Sequence, residues 1–444
     1  MDDTTKAIIR DHRRFLFPSV MNYYEVPLVA RSASGVHITD ADGGEYLDFF
    51  GGILTVSVAH CHPRITERVV AQLGALQHTS TLYPTEPIVE LARTMARITP
   101  GRLTQSFFTN SGTEADETAV MLAQLFTGNQ ELIALRHGYS GRSMLAQALT
   151  AHSSWRALPS SVPFIKHAHA PYCYRCALGL TYPACDLRCA RDLEELILTE
   201  TRGAVAGLLA EPVQGVGGFI VPPPDYFKVV VPIVHRFGGV FIADEVQTGF
   251  GRTGDRMFGI EHFGVDPDIM TMAKGVANGL PMGVTVATEE VAASIRALTI
   301  STFGGNPVCC TAAQATIDVV EQERLPERAA RLGALLRAGL EDLQREHPVI
   351  GDVRGMGLMQ AIELVEDRRT KEPAAPRAVE LMERTRALGL LVGKGGLYGN
   401  VIRIAPPMLL EESHVREALD LLDRALRGEG TPIVTEIMPA GVAD

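Results

Sequence analysis

A hydrophobic period that keeps switching is the feature that most limits what this chain can fold into. Short apolar runs suited to burial on both faces alternate with stretches of helical spacing, and that alternation predicts an α/β protein. The strands expected are residues 105–109, 132–135, 205–210, 240–243, 269–272 and 284–287. Helices are expected between them, at 113–125, opened by Ser111 and Thr113 with Glu114 in the first turn, and at 224–237. After Asn306 the texture changes to long amphipathic helices such as 325–346, then returns to short strands in GDVRGMGLMQAIEL and LVGKGGLYGNVIRIAP. A second domain is therefore expected from Pro307 onward. Ahead of His60, strand-like 36–39 and 46–49 flank a DGGE turn in a segment too short to fold alone. The expected division is 1–60, packing with the C-terminal part, 61–306 as the large domain, and 307–444 as the small one.

Composition narrows the function. A chain of 444 residues is long enough for a large domain and a smaller one. Its 41 basic and 52 acidic residues are interspersed and sum to −11, which argues against nucleic acid as a partner. No apolar run reaches membrane-spanning length, and the first thirty residues hold no uninterrupted apolar stretch with a cleavage site, so a soluble cytoplasmic protein is expected.

Chemistry begins with FIADEVQTGFGRTG. Asp244, at the end of a buried strand, stands where open α/β sheets bind ligands, and a carboxylate there can keep a pyridinium nitrogen protonated. The same pattern also occurs in Walker B segments, metal sites and structural hydrogen bonding. Thirty residues on, in TMAKGVANGLPMG, Lys274 follows an apolar run and precedes a glycine, which suggests a lysine pointed into a cleft. Most lysines lie at the surface, and it is the pairing with Asp244 that raises this one above them. FFTNSGTEADETAV offers a strand, a small-residue turn and a helix start, so the N–H groups of Ser111, Gly112 and Thr113 would converge on an anion; an ordinary N-cap reads the same. No GxxxxGK[ST] occurs, which disfavours a P-loop nucleotide site. In RHGYSGRS, Tyr139 lies in a glycine-bracketed turn where its ring could stack on a flat cofactor or simply pack in the core. In STFGGNP, Thr302 joins a hydroxyl to a two-glycine loop.

Taken together, NSGTEADE, HGYSG, LLAEPVQG, ADEVQTGFGRTG, MAKG and TFGGNP resemble the class III pyridoxal-phosphate-dependent aminotransferases of fold type I, from GGEYLDFFGGI to VIRIAPP. GDVRGMGLM, LGLLVGKGG and RIAPP look like the alanine:glyoxylate aminotransferases of that class; PYCYRCALGLTYPACDLRCA looks like their ethanolamine-phosphate phospholyase relatives. The resemblance implies a mainly parallel seven-stranded sheet in the large domain, a smaller α+β domain from both termini, and pyridoxal 5'-phosphate as cofactor. It implies that Lys274 holds the cofactor as an internal Schiff base and then moves a proton, with Asp244 on the ring nitrogen, Gln247 near the ring hydroxyl oxygen, and Val246 and Tyr139 on the two ring faces. Ser111, Gly112 and Thr113 would take the phosphate, and Thr302 that of the neighbouring subunit in a homodimer. Arg403 would meet a substrate carboxylate, and Glu211 would pair with Arg403 when that carboxylate is absent. Tyr23, Ile53 and Tyr83 are placed in the substrate pocket by segment position. The implied reaction carries an amino group from an amino acid or amine to a 2-oxo acid such as pyruvate or glyoxylate; elimination of phosphate or another β-leaving group, or racemisation, runs through the same carbanion. Of the seven cysteines, Cys173, Cys176, Cys185 and Cys189 have a spacing compatible with zinc, or with packed free thiols in an insertion that also carries Tyr172 and Tyr174.

Overall fold

The computed structural model describes residues 1–159 and 162–431; the end of the expected C-terminal region, 432–444, lies outside them. Seven strands form the central sheet: β1 (Leu103–Thr109), β2 (Leu132–Leu135), β3 (Ile165–Ala168), β4 (Gly207–Ala210), β5 (Val240–Asp244), β6 (Ile269–Met272) and β7 (Gly283–Thr288). Their order is β1-β7-β6-β5-β4-β2-β3. The pairs β3·β2, β2·β4, β4·β5 and β5·β6 are parallel, and only β7 runs against both of its neighbours. Both faces are covered, which is why these strands read as continuous apolar runs. Along β5 the side chains alternate: Phe241 enters the core shared with Phe227 and Met272, and Ile242 enters the opposite one with Val120 and Ile269.

Six of the seven strands stand where the apolar runs place them. Expectation passed over β3, a four-residue edge strand whose two central residues, Lys166 and His167, are only half-buried. With one open edge it needs no apolar run.

A helix, Pro307–Gln322, leads out of the central unit and spans two cores. Its Cys310, Ala313 and Ile317 pack with Leu91 and Phe108, whereas Ala315, Val319 and Val320 belong to the core of the C-terminal helices and sheet. The C-terminal sheet is built from the strands Ile350–Met356, Met359–Leu364, Val401–Ile404 and Gly393–Gly395. The N-terminal meander Ala30–Ser34, His37–Asp40 and Glu45–Asp48 is completed by Leu390–Leu391, which pairs parallel to Glu45–Asp48. Asn306 caps the helix it precedes by accepting from Cys309 N at 2.9 Å, with Pro307 at the first helical position.

The cysteine-rich segment docks on the C-terminal sheet through polar side chains. Glu363, fully buried, accepts hydrogen bonds from Tyr172 Oη, Arg175 Nε and, at 2.7 Å, Arg354 Nη1. Arg354 also lies over the Tyr172 ring, 4.9 Å from its centroid. All seven cysteines are free, and no three of the sulfurs of Cys173, Cys176, Cys185 and Cys189 lie within 4.8 Å of one another. Removing Glu363 leaves Arg175 without its carboxylate, Arg354 with Asp352 alone at 2.7 Å, and the Tyr172 hydroxyl without its acceptor, so Glu363→Ala is expected to lower stability by about 3 kcal/mol, read as the fall in the denaturant midpoint.

Candidate active site

The parallel strands, together with β1, deliver their carboxyl ends to one edge of the sheet. There the residues that follow β1, β2 and β6, the last residue of β5 and the first after β4 line a cleft of about 760 Å³, a size suited to a small ligand. Tyr23, Ile53 and Arg403 close it from the N- and C-terminal parts of the chain.

Asp244 ends β5 and is 3% exposed, with its Oδ1 accepting from Val246 N at 3.0 Å. Its neighbour Glu245 points elsewhere. That carboxylate accepts from Thr248 Oγ1, from Gly259 N at 2.9 Å and from Ile260 N at 2.7 Å, closing a turn in the core. The acidic pair is thus divided between cleft and scaffold. Lys274 follows β6 by two residues in a left-handed conformation, φ +46°, and enters the same cleft. Burial lowers its amine below the usual lysine range against the opposing pull of Asp244 and Glu211. Lowering it favours the neutral, nucleophilic form of the amine.

Burial also pushes the acids upward, Asp244 to about 6 and Glu211 to about 8, the latter helped by the Asp244 charge. Glu211 Oε1 accepts from Tyr139 N at 3.2 Å and Oε2 from Gly215 N at 2.7 Å. No ion pair joins it to Arg403 among the described residues, and each of its oxygens accepts from one backbone N–H.

At the other end of the cleft the helix Gly112–Thr127 begins. Ser111 caps it, its Oγ accepting from Glu114 N at 3.3 Å, while the N–H groups of Gly112 and Thr113 have no protein acceptor among the described residues. Free N–H groups at a positive helix end are what an anion needs. Crowding holds this corner: a Cβ on Gly112 would meet Val246 Cγ2 at 3.2 Å, and one on Gly141 would meet Thr113 Oγ1 at 2.0 Å. Tyr139 leans edge-on against Trp155, with centroids 5.5 Å apart. Gln247 is buried, and its Oε1 has no hydrogen-bond partner among the described residues.

Arg403 lies in Val401–Ile404, 2% exposed, with its guanidinium 4.9 Å from the Phe50 ring centroid and 5.7 Å from that of Phe219. Its Nε donates to Lys394 O at 3.0 Å, and it has no carboxylate within ion-pair distance among the described residues. Two expected residues stay outside the cleft within one chain. Tyr83 is 68% exposed beside exposed Leu82, and Thr302 sits in an exposed loop beside Phe303, whose ring lies 5.3 Å from that of His78. Within one chain Tyr83 faces solvent and does not line the cleft. Sequence reasoning also passed over Asp116, Phe50, Arg142 and Trp155, all in the cleft lining. Asp116 was visible inside NSGTEADE; the others carry no local signal.

The comparisons with known proteins agree with this geometry. Residues 20–426 match the family Aminotransferase class-III. The chain belongs to the class-III aminotransferases. It is 41% identical over 95% of its length, and 87% of the relative's, to alanine–glyoxylate aminotransferase 2 homolog 2, mitochondrial, of Arabidopsis thaliana. It is 36% identical to the leucine/methionine racemase of Thermococcus litoralis, covering 95% of each. Among solved structures it superposes at TM-score 0.87, with 32% identity, on an amine transaminase from an uncultivated Pseudomonas species in its PLP-bound form, covering 93% of this chain and 98% of that one. An Arthrobacter phospholyase crystallised with phosphoethanolamine gives TM-score 0.86 at 29% identity, covering 95% and 99%. This aminotransferase therefore depends on pyridoxal phosphate, and the cleft fits it: free helix N–H groups at one end, a buried carboxylate and an amine at the other, and an unpaired Gln247 oxygen between flat walls. Gly141→Ala, which drives a methyl group into the Thr113 hydroxyl, is expected to weaken cofactor retention about tenfold, measured by equilibrium dialysis.

Proposed function

We propose that this enzyme takes the amino group of an α-amino acid such as alanine and delivers it to glyoxylate or pyruvate. The observation that carries this reading is Arg403, a buried guanidinium at the cleft wall with no carboxylate partner among the described residues. An uncompensated buried charge is costly, and a ligand carboxylate gripped by two parallel hydrogen bonds offsets it. An α-carboxylate meets that need. Phosphoethanolamine offers a guanidinium only its phosphate, and the donor panel separates the two substrates.

When bound, pyridoxal phosphate supplies an electron sink that stabilises a carbanion at the substrate α-carbon. Lys274 would hold the cofactor and, once displaced by the amino substrate, would move the proton of the substrate α-carbon, a task suited to an amine lowered by burial. Asp244 keeps the ring nitrogen protonated. Gly112 and Thr113, with Ser111, bind the phosphate; Val246 and Tyr139 enclose the ring, and Gln247 orients its hydroxyl oxygen. Tyr23 and Ile53 bound the substrate side, and Glu211 holds the Tyr139 turn in place.

The active unit in this reading is a homodimer. Leu298, Ile300 and Phe303 are exposed in and just before the 301–305 loop, as are Leu82 and Tyr83 in the segment that follows His78, whose ring lies 5.3 Å from that of Phe303; Asn110 Nδ2 lies 3.4 Å from Ser301 Oγ, so this loop adjoins the phosphate end of the cleft. A second subunit covering it would bring Thr302 to its partner's phosphate and Tyr83 to its partner's pocket. No helix of the described residues is long and apolar enough to cross a membrane. A reducing compartment such as the cytoplasm suits seven free cysteines.

A donor panel with pyruvate and glyoxylate as acceptors tests the reaction. Alanine with glyoxylate is expected to yield glycine and pyruvate, and phosphoethanolamine to release no phosphate; the reverse pattern overturns the proposal. Lys274→Ala is expected to abolish turnover and the cofactor's lysine-dependent visible band. Arg403→Ala is expected to raise the KM for alanine about a hundredfold, the loss of a charge-assisted pair, while leaving the KM of a simple amine donor little changed.

A further inference from the structure

One buried acid of the cleft has no part in that scheme. Asp116, in the helix Gly112–Thr127, is 1% exposed and lines the cleft. Its Oδ1 accepts from Thr271 Oγ1 at 2.7 Å. Thr271 lies in β6 in register with Asp244 of β5, and its carbonyl accepts from Glu245 N at 2.8 Å. One threonine therefore holds both carboxyl groups, Asp244 through backbone register and Asp116 through its side chain. The charged groups facing Asp116 are Asp244 at the end of β5, Glu211 after β4 and Lys274 after β6. Three acids around one amine cannot all be ionised in an enclosed site, and Asp244 needs its charge for the cofactor nitrogen.

The structure assigns Asp116 the role of a protonated positioning residue: it stays neutral, takes the hydrogen bond of the Thr271 hydroxyl beside Asp244, and leaves the anionic charge of that pair to Asp244. This rests on the reading of Lys274 and Asp244 as the cofactor site. Burial, and after it the Asp244 charge, push the Asp116 carboxyl well above the usual range. A raised carboxyl favours the fold while protonated, so its contribution is full below the unfolded value of 3.8 and is lost as pH climbs through the raised one. Asparagine mimics the neutral acid and cannot ionise.

The test compares wild type, Asp116→Asn and Asp116→Ala, all loaded with pyridoxal phosphate, by cofactor retention on dialysis, spectrophotometric titration of the bound cofactor, and Tm at pH 5 and pH 8. Asp116→Asn is expected to retain cofactor within about twofold, to leave the spectral titration midpoint in place, and to gain Tm relative to wild type between pH 5 and pH 8. Asp116→Ala, which leaves the buried Thr271 hydroxyl without its acceptor, is expected to bind cofactor about tenfold more weakly and to shift the midpoint. If Asp116→Asn loses cofactor as severely as Asp116→Ala, or its Tm difference from wild type is flat with pH, Asp116 works as an anion and the proposal is overturned. Should Asp116→Ala fail to fold, the Asp116→Asn titration and Tm difference decide alone. A visible band that survives in Lys274→Ala sinks the underlying site reading and this inference with it. A band lost there, with Asp116→Asn behaving as an anion's replacement, sinks this inference only.

Discussion

Concentrating ionisable groups where water is excluded is the constraint on which the rest of this structure depends. Asp116, Glu211, Asp244 and Lys274 lie within reach of one another at the carboxyl edge of a sheet covered on both faces. Such a group is stable only when each member is neutral, paired or held by backbone donors. The fold provides those terms locally. Two backbone N–H groups hold Glu211, one holds Asp244, and the Thr271 hydroxyl holds Asp116. The opposing shifts of amine and acids follow from that enclosure, and they leave the amine closer to its nucleophilic form.

Backbone geometry does the rest of the placing. The strands that carry Glu211, Asp244 and Lys274 are adjacent and parallel, so their ends present three side chains on one edge without long loops. Glycine is required where chains crowd at the phosphate end: Gly141, at φ +128°, leaves room for the Thr113 side chain. Arg403 arrives from a different sheet, whose strand Met359–Leu364 pairs with it through Ala361 and carries the buried Glu363 two residues on. The cysteine-rich segment thereby braces the sheet that presents the substrate-side arginine.

Legibility followed the length scale of each signal. The central strands are buried on both sides and show as apolar runs. Lys274 and Asp244 stand directly at the ends of two of them, so their positions could be read without a structure. The edge strand Ile165–Ala168 lacked that signature because one side needs no cover. Trp155, Phe50 and Arg142 reach the cleft from turns and loops with no periodic signal, and the cleft is where they first appear together. The Asp-Glu pair at 244–245 looked like one acidic motif; only the alternation of a real strand end separates a cleft acid from a scaffold acid.

What sequence alone determined, then, is the α/β alternation, the lysine and aspartate at strand ends, the glycine- and hydroxyl-rich helix start, and through those motifs the aminotransferase family and its cofactor. These features are local: a periodicity, a turn or a cap lies within a dozen residues and is written in their types. Tertiary structure decided that β7 runs against its neighbours, that Asp116 joins Asp244 across Thr271, that Arg403 is buried with no carboxylate partner among the described residues, and that Tyr83 and Thr302 face outward. Each of these depends on which distant segments share one dielectric interior, and burial and charge balance belong to the folded arrangement, not to any stretch of residues within it.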